Sequence, residues 1–170
     1  MLYMVEMDLP DRSKIDAWHA WYEMHIRKLL ALPGFHGSQR FFSLTATASP
    51  FLAIHHVDGP QFFDSEAYKK VGGPTGTGEW QSRMTNWYRN LFDHPGGWPE
   101  VAMADRLAVV DRDAQLPGSY HSRVTWMTSA GLDRSADQRG LLLVPTTEDP
   151  AALVATDGVR LFKPITAKFT

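Results

Sequence analysis

Residues Asp11 to Phe35 read DRSKIDAWHAWYEMHIRKLLALPGF, and they form the clearest helix signal in a chain of 170 residues. Ser13 with Asp16 three residues on resembles a capping box, and Pro33-Gly34 supplies the stop. At about 100° per residue, Trp18, Tyr22, His25 and Leu29 fall within roughly 60° of one another, flanked by Ile15 and Ile26. His19 lies about 100° from Trp18, at the margin of that stripe. A purely structural helix would carry leucine at these positions. A histidine on an apolar face can be a hydrogen-bonded core residue, but two aromatics with polar atoms share the face of His25. That makes His25, rather than His19, the candidate for chemistry.

The elements around this helix set the expected fold. Leu2 to Met7 reads as a strand, with Tyr3, Val5 and Met7 on one face and Leu2, Met4 and Glu6 on the other. Glu6 is then a carboxylate in mid-strand, either at a solvent edge or in a pocket. Ser38 to Leu44 reads as a second strand and Phe51 to Asp58 as a third. Alternation sends the adjacent His55 and His56 to opposite faces of that third strand, so at most one can enter a given pocket. Gln61 to Lys70 begins a second helical region. GGPTGTG at Gly72 to Gly78 lacks the Gly-Lys-Ser/Thr ending of a phosphate loop and follows no hydrophobic strand, so it reads as a flexible loop able to act as a lid. Thr77 caps a further expected helix through Phe92, with Trp80, Met84, Trp87, Tyr88 and Leu91 at helical spacing. HPGGWP at 94–99 reads as a loop, and Arg106 to Asp111 as a fourth strand.

Strand, helix, strand, strand, helix, strand is the split βαβ order. It predicts an α+β, ferredoxin-like fold: a four-stranded antiparallel sheet with helices on one face. The bare face needs a cover. A second copy, through dimerisation or through a tandem repeat, would join two such sheets into an α/β barrel around a lumen.

Composition narrows the function classes. Net charge is -2, with 44% hydrophobic and 21% charged residues, as in an ordinary soluble domain. This charge balance points to neither nucleic acid nor an anionic membrane as partner. The absence of cysteine excludes disulfides, thiol nucleophiles and thiolate metal sites, and is compatible with a reducing cytoplasm. MLYMVEMDLP has no basic start and no long apolar run, so no signal peptide is expected. No membrane span is expected either. Aromatics reach 12%, enough for a bulky core or an aromatic pocket.

WHAWYEMHIRKLLALPGF, and then FLAIHHVDGPQFFDSEAY, resemble the EthD-like branch of the dimeric α/β-barrel superfamily. The matching features are Trp21-Tyr22, His25, Pro33-Gly34, and a strand ending in Val57-Asp58 before Pro60 and a phenylalanine. The resemblance covers roughly residues 1–112. It implies a homodimer and a small-molecule pocket between sheet and helices. Its chemistries include cofactor-free monooxygenases, lactone isomerases, polyketide cyclases, dehydratases and haem-degrading enzymes, so fold alone cannot choose among them.

The remainder of the chain carries short echoes of the first part. LPDRS at Leu9 is echoed by GLDRS at Gly131, VDGPQFF at Val57 by TEDPAAL at Thr147, and RLAVVD at Arg106 by VRLFKP at Val159. These suggest a ferredoxin-like domain over 1–116, followed over 117–170 by a degenerate second repeat, or an extension packed on the first sheet, with Pro117-Gly118 as the boundary.

The function expected first is a cofactor-independent lyase, isomerase or dehydratase that moves protons on a small hydrophobic or aromatic substrate. Histidine suits this because its ordinary pKa lies near neutrality. His25 is the leading acid/base, with His55 or His56 as its partner. Glu6 would orient one of them, and Tyr22 would donate to a developing oxyanion. Trp18, Trp21, Trp80 and Trp87 would line the substrate site. The alternatives are an EthD-like or haem-type monooxygenase and a non-catalytic binding or accessory protein. No metal-site spacing appears.

Overall fold

β1 (Leu2–Asp8) is buried on both faces from Leu2 to Met7, and the molecule closes around it. The computed structural model describes residues 1–94, 98 and 100–170, the side chains of 74 and 75 excepted. The loop expected over 94–99 includes 95–97 and 99, which lie outside the described residues. After β1 come α1 (Ile15–Leu30), β2 (Phe35–Ser43) and β3 (Phe51–Val57). Three short helices follow: α2 (Gln61–Asp64), α3 (Glu66–Val71) and α4 (Gly73–Thr77). Next are β4 (Thr85–Asp93), β5 (Arg106–Asp111), α5 (Gly118–His121), β6 (Thr125–Leu132), β7 (Gln138–Val144), α6 (Ala151–Val154) and β8 (Val159–Pro164).

α1 forms as its pattern dictates. Asp11, not Ser13, supplies the cap: its carboxylate accepts the Ser13 N–H at 3.1 Å and starts a 3₁₀ turn that leads into the helix. Trp18, Tyr22, Ile26 and Leu29 are buried, the stripe the spacing predicts. After Ala31, Gly34 takes a left-handed φ of 86°, which turns the chain into β2.

The ferredoxin-like α+β expectation is overturned. The eight strands close into one antiparallel barrel in the order β1-β3-β2-β8-β5-β7-β6-β4. α1 is the one long helix among the described residues, so the fold is mostly sheet rather than a helix-layered α/β barrel. The decisive difference is the segment Thr77–Phe92. Instead of a helix it gives a short 3₁₀ turn at Gly78–Trp80 and then the strand β4. Ladders on both edges draw it into extended form. Phe92 pairs with Leu2 of β1 on one side and with Ser129 of β6 on the other. Its tryptophan, tyrosine and phenylalanine suit a strand as well as a helix. Closure within one chain also removes the bare face that called for a second copy.

Adding four to every strand number maps the closed ring onto itself. Of the three sequence echoes, only VDGPQFF and TEDPAAL occupy positions related by this shift, after β3 and after β7. Pro117-Gly118 leads from β5 into α5, while the hydrogen-bonded ladder runs unbroken around the barrel.

An eight-stranded barrel is just wide enough for its interior to be filled by side chains. Met4, Phe41, Leu52, Ile54, Phe92, Leu107, Val109, Met127, Leu141 and Phe162 fill this one. The lumen is therefore core. Val101 closes one end, held by Gln39, which donates to its carbonyl at 2.8 Å and accepts its N–H at 2.9 Å. The other end is closed by charge: Glu6, Asp111, Arg139 and Arg160. α1, α3 and the segment after it pack outside the barrel, over Tyr3, Val5 and Met7. No helix among the described residues is long and apolar enough to cross a membrane.

Candidate functional site

The candidate site lies outside the barrel, where α1 crosses β1 and β3. Tyr3, Val5 and Met7 form its floor, and His55 rises beside them from β3. Trp21, Tyr22, His25 and Leu29 of α1 form one wall. Tyr68, Gly73 and Thr77 close it from α3 and α4, and Met84 and Trp87 complete the rim. The enclosed volume is ≈ 30 Å³, room for a water or two rather than a substrate-sized molecule.

His25 and His55 share this pocket. The His25 ring stacks on Trp21, with centroids 5.1 Å apart and planes 14° from parallel. It makes no hydrogen bond among the described residues. Burial lowers its pKa to about 4, with Lys28 adding to the effect. His55 is deeper. Its Nδ1 lies 2.9 Å from Ser38 Oγ, and its ring sits 5.1 Å from Tyr3 and 5.3 Å from Phe35. Burial, then His25 and Arg40, lower its pKa to about 3. Both imidazoles are neutral at pH 7. A base with so low a pKa drives proton abstraction weakly, whereas a neutral imidazole both donates and accepts hydrogen bonds.

Three tyrosines bring hydroxyls to the same space. Burial pushes Tyr22 up to about 12 and Tyr3 well above its ordinary value. Tyr68 Oη is buried without a hydrogen-bond partner. The Tyr3 hydroxyl stands beside it and a hydrogen-bonding contact with Tyr68 helps raise the Tyr3 pKa, but the pair misses good hydrogen-bond geometry, so Tyr68 Oη is at best weakly paired.

The other sequence candidates lie apart. Glu6 points into the lumen, on the far side of β1 from His25 and His55, so it cannot orient either. It meets Arg139 Nη1 at 3.4 Å and also pairs with Arg160 Nη1. His56 faces the opposite lumen mouth, its ring 5.0 Å from His36. Burial and then the terminal amine lower its pKa. Of the four tryptophans, Trp21 and Trp87 line the pocket. Trp80 stands behind, 6.0 Å from Trp21. Trp18 is fully buried against Phe51, 4.7 Å away, and under the Arg40 guanidinium.

Tyr3, Ser38, Arg40 and Tyr68 were not foreseen. Tyr3 was legible, since alternation already placed it beside Val5 and Met7. Ser38 and Arg40 could have been found by applying the same alternation to β2.

The glycine run at Gly72–Gly78 lies against the pocket because close approach demands it. A Cβ at Gly72 would run into the Tyr68 ring. One at Gly76 would run into the Val71 carbonyl oxygen and stand 3.1 Å from His25 Cε1. Gly73 and Gly78 take left-handed φ values of 57° and 55°.

At ≈ 30 Å³ the resting cavity is far smaller than a haem, and the His25 ring beside it is stacked on Trp21. No group of three or more His, Asp or Glu side chains among the described residues is arranged to hold a metal ion. No protein-family model matches the chain, and no curated protein does.

Proposed function

We propose that this protein binds a small aromatic molecule bearing a hydroxyl group, in the pocket between α1 and the outer wall of the barrel. The observation that carries this is Tyr68: its Oη is buried with no partner in good hydrogen-bond geometry, and the residue lines a pocket shared with two neutral imidazoles and walled by aromatics. A buried hydroxyl left without a partner costs about 1–3 kcal/mol, which a ligand hydroxyl would recover. Apolar walls with a few convergent polar groups are the usual composition of a small-molecule site. Occupancy requires the cover formed by α4 to move outward, since the resting volume is too small.

The test is ¹⁹F NMR titration of the full chain with 4-fluorophenol, and with fluorobenzene as a matched ligand lacking the hydroxyl. Saturable binding of 4-fluorophenol, at least about tenfold tighter than fluorobenzene, is expected, because the site's polar groups go unpaired with the latter. Tyr68→Phe should erase most of that difference. Equal binding of the two ligands, or no saturable shift, overturns the reading.

One observation favours a second reading, in which the same ligand is turned over by proton transfer as in a lyase or isomerase. Ser38 Oγ holds His55 Nδ1 and so orients the ring, leaving Nε2 free for the pocket. Turnover that falls at least about a hundredfold in His55→Gln while 4-fluorophenol binding persists would establish catalysis.

A further inference from the structure

A second concave surface lies on the outer side of α1, away from the histidine pocket. It is a groove of ≈ 270 Å³ between the start of α1 and the edges of β2, β3 and β8. Ile15, Phe42, Phe51 and Ile165 give it an apolar floor. Arg12, His19 and Lys163 are its polar lining residues, and no carboxylate is among them.

Behind His19 stands Arg40, only 2% exposed. Its guanidinium lies 4.8 Å from the Trp18 ring centre and 4.1 Å from that of Tyr22. It forms no ion pair with a carboxylate among the described residues. Asp16 and Glu23 act on His19 and Arg40 only at a distance. Arg40 Nη2 stands 3.0 Å from His19 Nδ1. A guanidinium can only donate, so His19 Nδ1 accepts, and the neutral ring carries its proton on Nε2. His19 therefore offers the groove a donor. Asp8 neutralises Arg12 at 2.7 Å, but among the described residues Lys163 and Arg40 have no carboxylate partner. Charge and shape together describe a complement: one anionic oxygen pair and a compact apolar body.

We propose that this groove is a second binding site, independent of the histidine pocket, for a small monocarboxylate with an alkyl or aryl body. The carboxylate meets Lys163 and the His19 N–H, and the body lies on Phe42, Phe51, Ile15 and Ile165. Arg40 acts through His19 as a positioning residue: it fixes the tautomer that donates. The volume lies at the small end of ligand pockets, which selects a short-bodied acid. Cation–π contact with two rings is what keeps Arg40 in place when the groove is empty.

The test uses sodium octanoate, octan-1-ol and sodium acetate, each titrated calorimetrically into the full chain at pH 7. Imidazole resonances of His19 and His25 are followed in parallel. Octanoate should bind once per chain and shift His19 but not His25. The alcohol, which lacks the charge, and acetate, which lacks the body, should each bind at least about tenfold more weakly. Lys163→Gln, an exposed change, should weaken octanoate about tenfold and reduce its salt dependence, with circular dichroism unchanged. Octan-1-ol binding as tightly as octanoate, an unaffected Lys163→Gln variant, a shift at His25 instead of His19, or no saturable heat would each overturn the proposal.

Discussion

Arg139 Nη1 of β7 meets both carboxylate oxygens of Glu6 on β1 at 3.4 Å, across the charged end of the barrel. The two residues are 133 positions apart in the chain, and both are almost wholly buried. This contact, with the Arg160 pair beside it, ties the first strand to the half of the barrel built last. It engages Glu6 on the side of β1 away from His25 and His55.

Replacing Glu6 with Gln keeps the shape and removes the charge. Arg139 and Arg160 would then face each other with only Asp111 to balance them. Breaking one partner out of a buried pair costs about 3–5 kcal/mol, because the remaining charge stays buried. Glu6→Gln should therefore lower the unfolding free energy from urea denaturation by that order and leave 4-fluorophenol binding to the folded fraction intact. A change below about 1 kcal/mol would mean that solvent already screens this end of the lumen.

Acid should unfold the protein through its histidines. The folded pKa values of His25 and His55, about 4 and about 3, lie below the unfolded value of about 6.5. Between these limits the unfolded chain binds more protons than the folded one, so stability rises with pH. The contribution is complete above about pH 6.5 and is lost as pH falls toward the folded values, at up to about 1.4 kcal/mol per pH unit for each ring. Thermal midpoints measured from pH 7.5 to pH 4 should fall steeply below pH 6.5, and His25→Asn should flatten that slope. A flat profile would show both rings to be hydrated rather than desolvated.

Arg40→Leu makes an opposite kind of prediction. The substitution removes a buried cation that has no carboxylate partner, so its desolvation cost disappears along with its contacts to Trp18 and Tyr22. The balance should lie within about 1 kcal/mol of wild type. His19 should respond more. Burial and then Arg40 hold its pKa down to about 4, so losing Arg40 should raise it in an NMR pH titration. An unmoved His19 would show that burial alone sets its protonation.

How much of this was legible in the sequence follows from where each element finds its partners. The stripe Trp18, Tyr22, Leu29 could be read because a helix repeats its contacts every few residues and needs only an apolar surface to meet. The face of β1 that carries Tyr3 was legible for the same local reason. Thr77–Phe92 was not. Trp80, Met84, Trp87 and Leu91 satisfy helical spacing, and the chain becomes a strand because Leu2 and Ser129 supply ladder partners on its two edges. Nor could closure be read, since Phe41 pairs with Pro164 across most of the chain. Within the candidate site, alternation correctly sent His55 and His56 to opposite faces. It could not say that Glu6 shares its face with arginines from β7 and β8, because no local pattern reports a partner that distant.

The cover over the histidine pocket offers the sharpest test of how ligand enters. Gly76 sits where an added methyl group would collide with the Val71 carbonyl and press on His25 Cε1, 3.1 Å away. Its own N–H donates to Gly72 O at 3.0 Å, so the turn cannot give way without losing that bond. Gly76→Ala should therefore lift α4 off the pocket. Two effects of opposite sign follow. Global stability should fall by about 1–3 kcal/mol from the strain and the lost contact. Association with 4-fluorophenol should become faster, because the cover no longer has to open first. Stopped-flow quenching of tryptophan fluorescence measures the second effect and urea denaturation the first. Slower association in Gly76→Ala would mean that α4 is a wall of the pocket and that ligand enters elsewhere, past Met84 and Trp87.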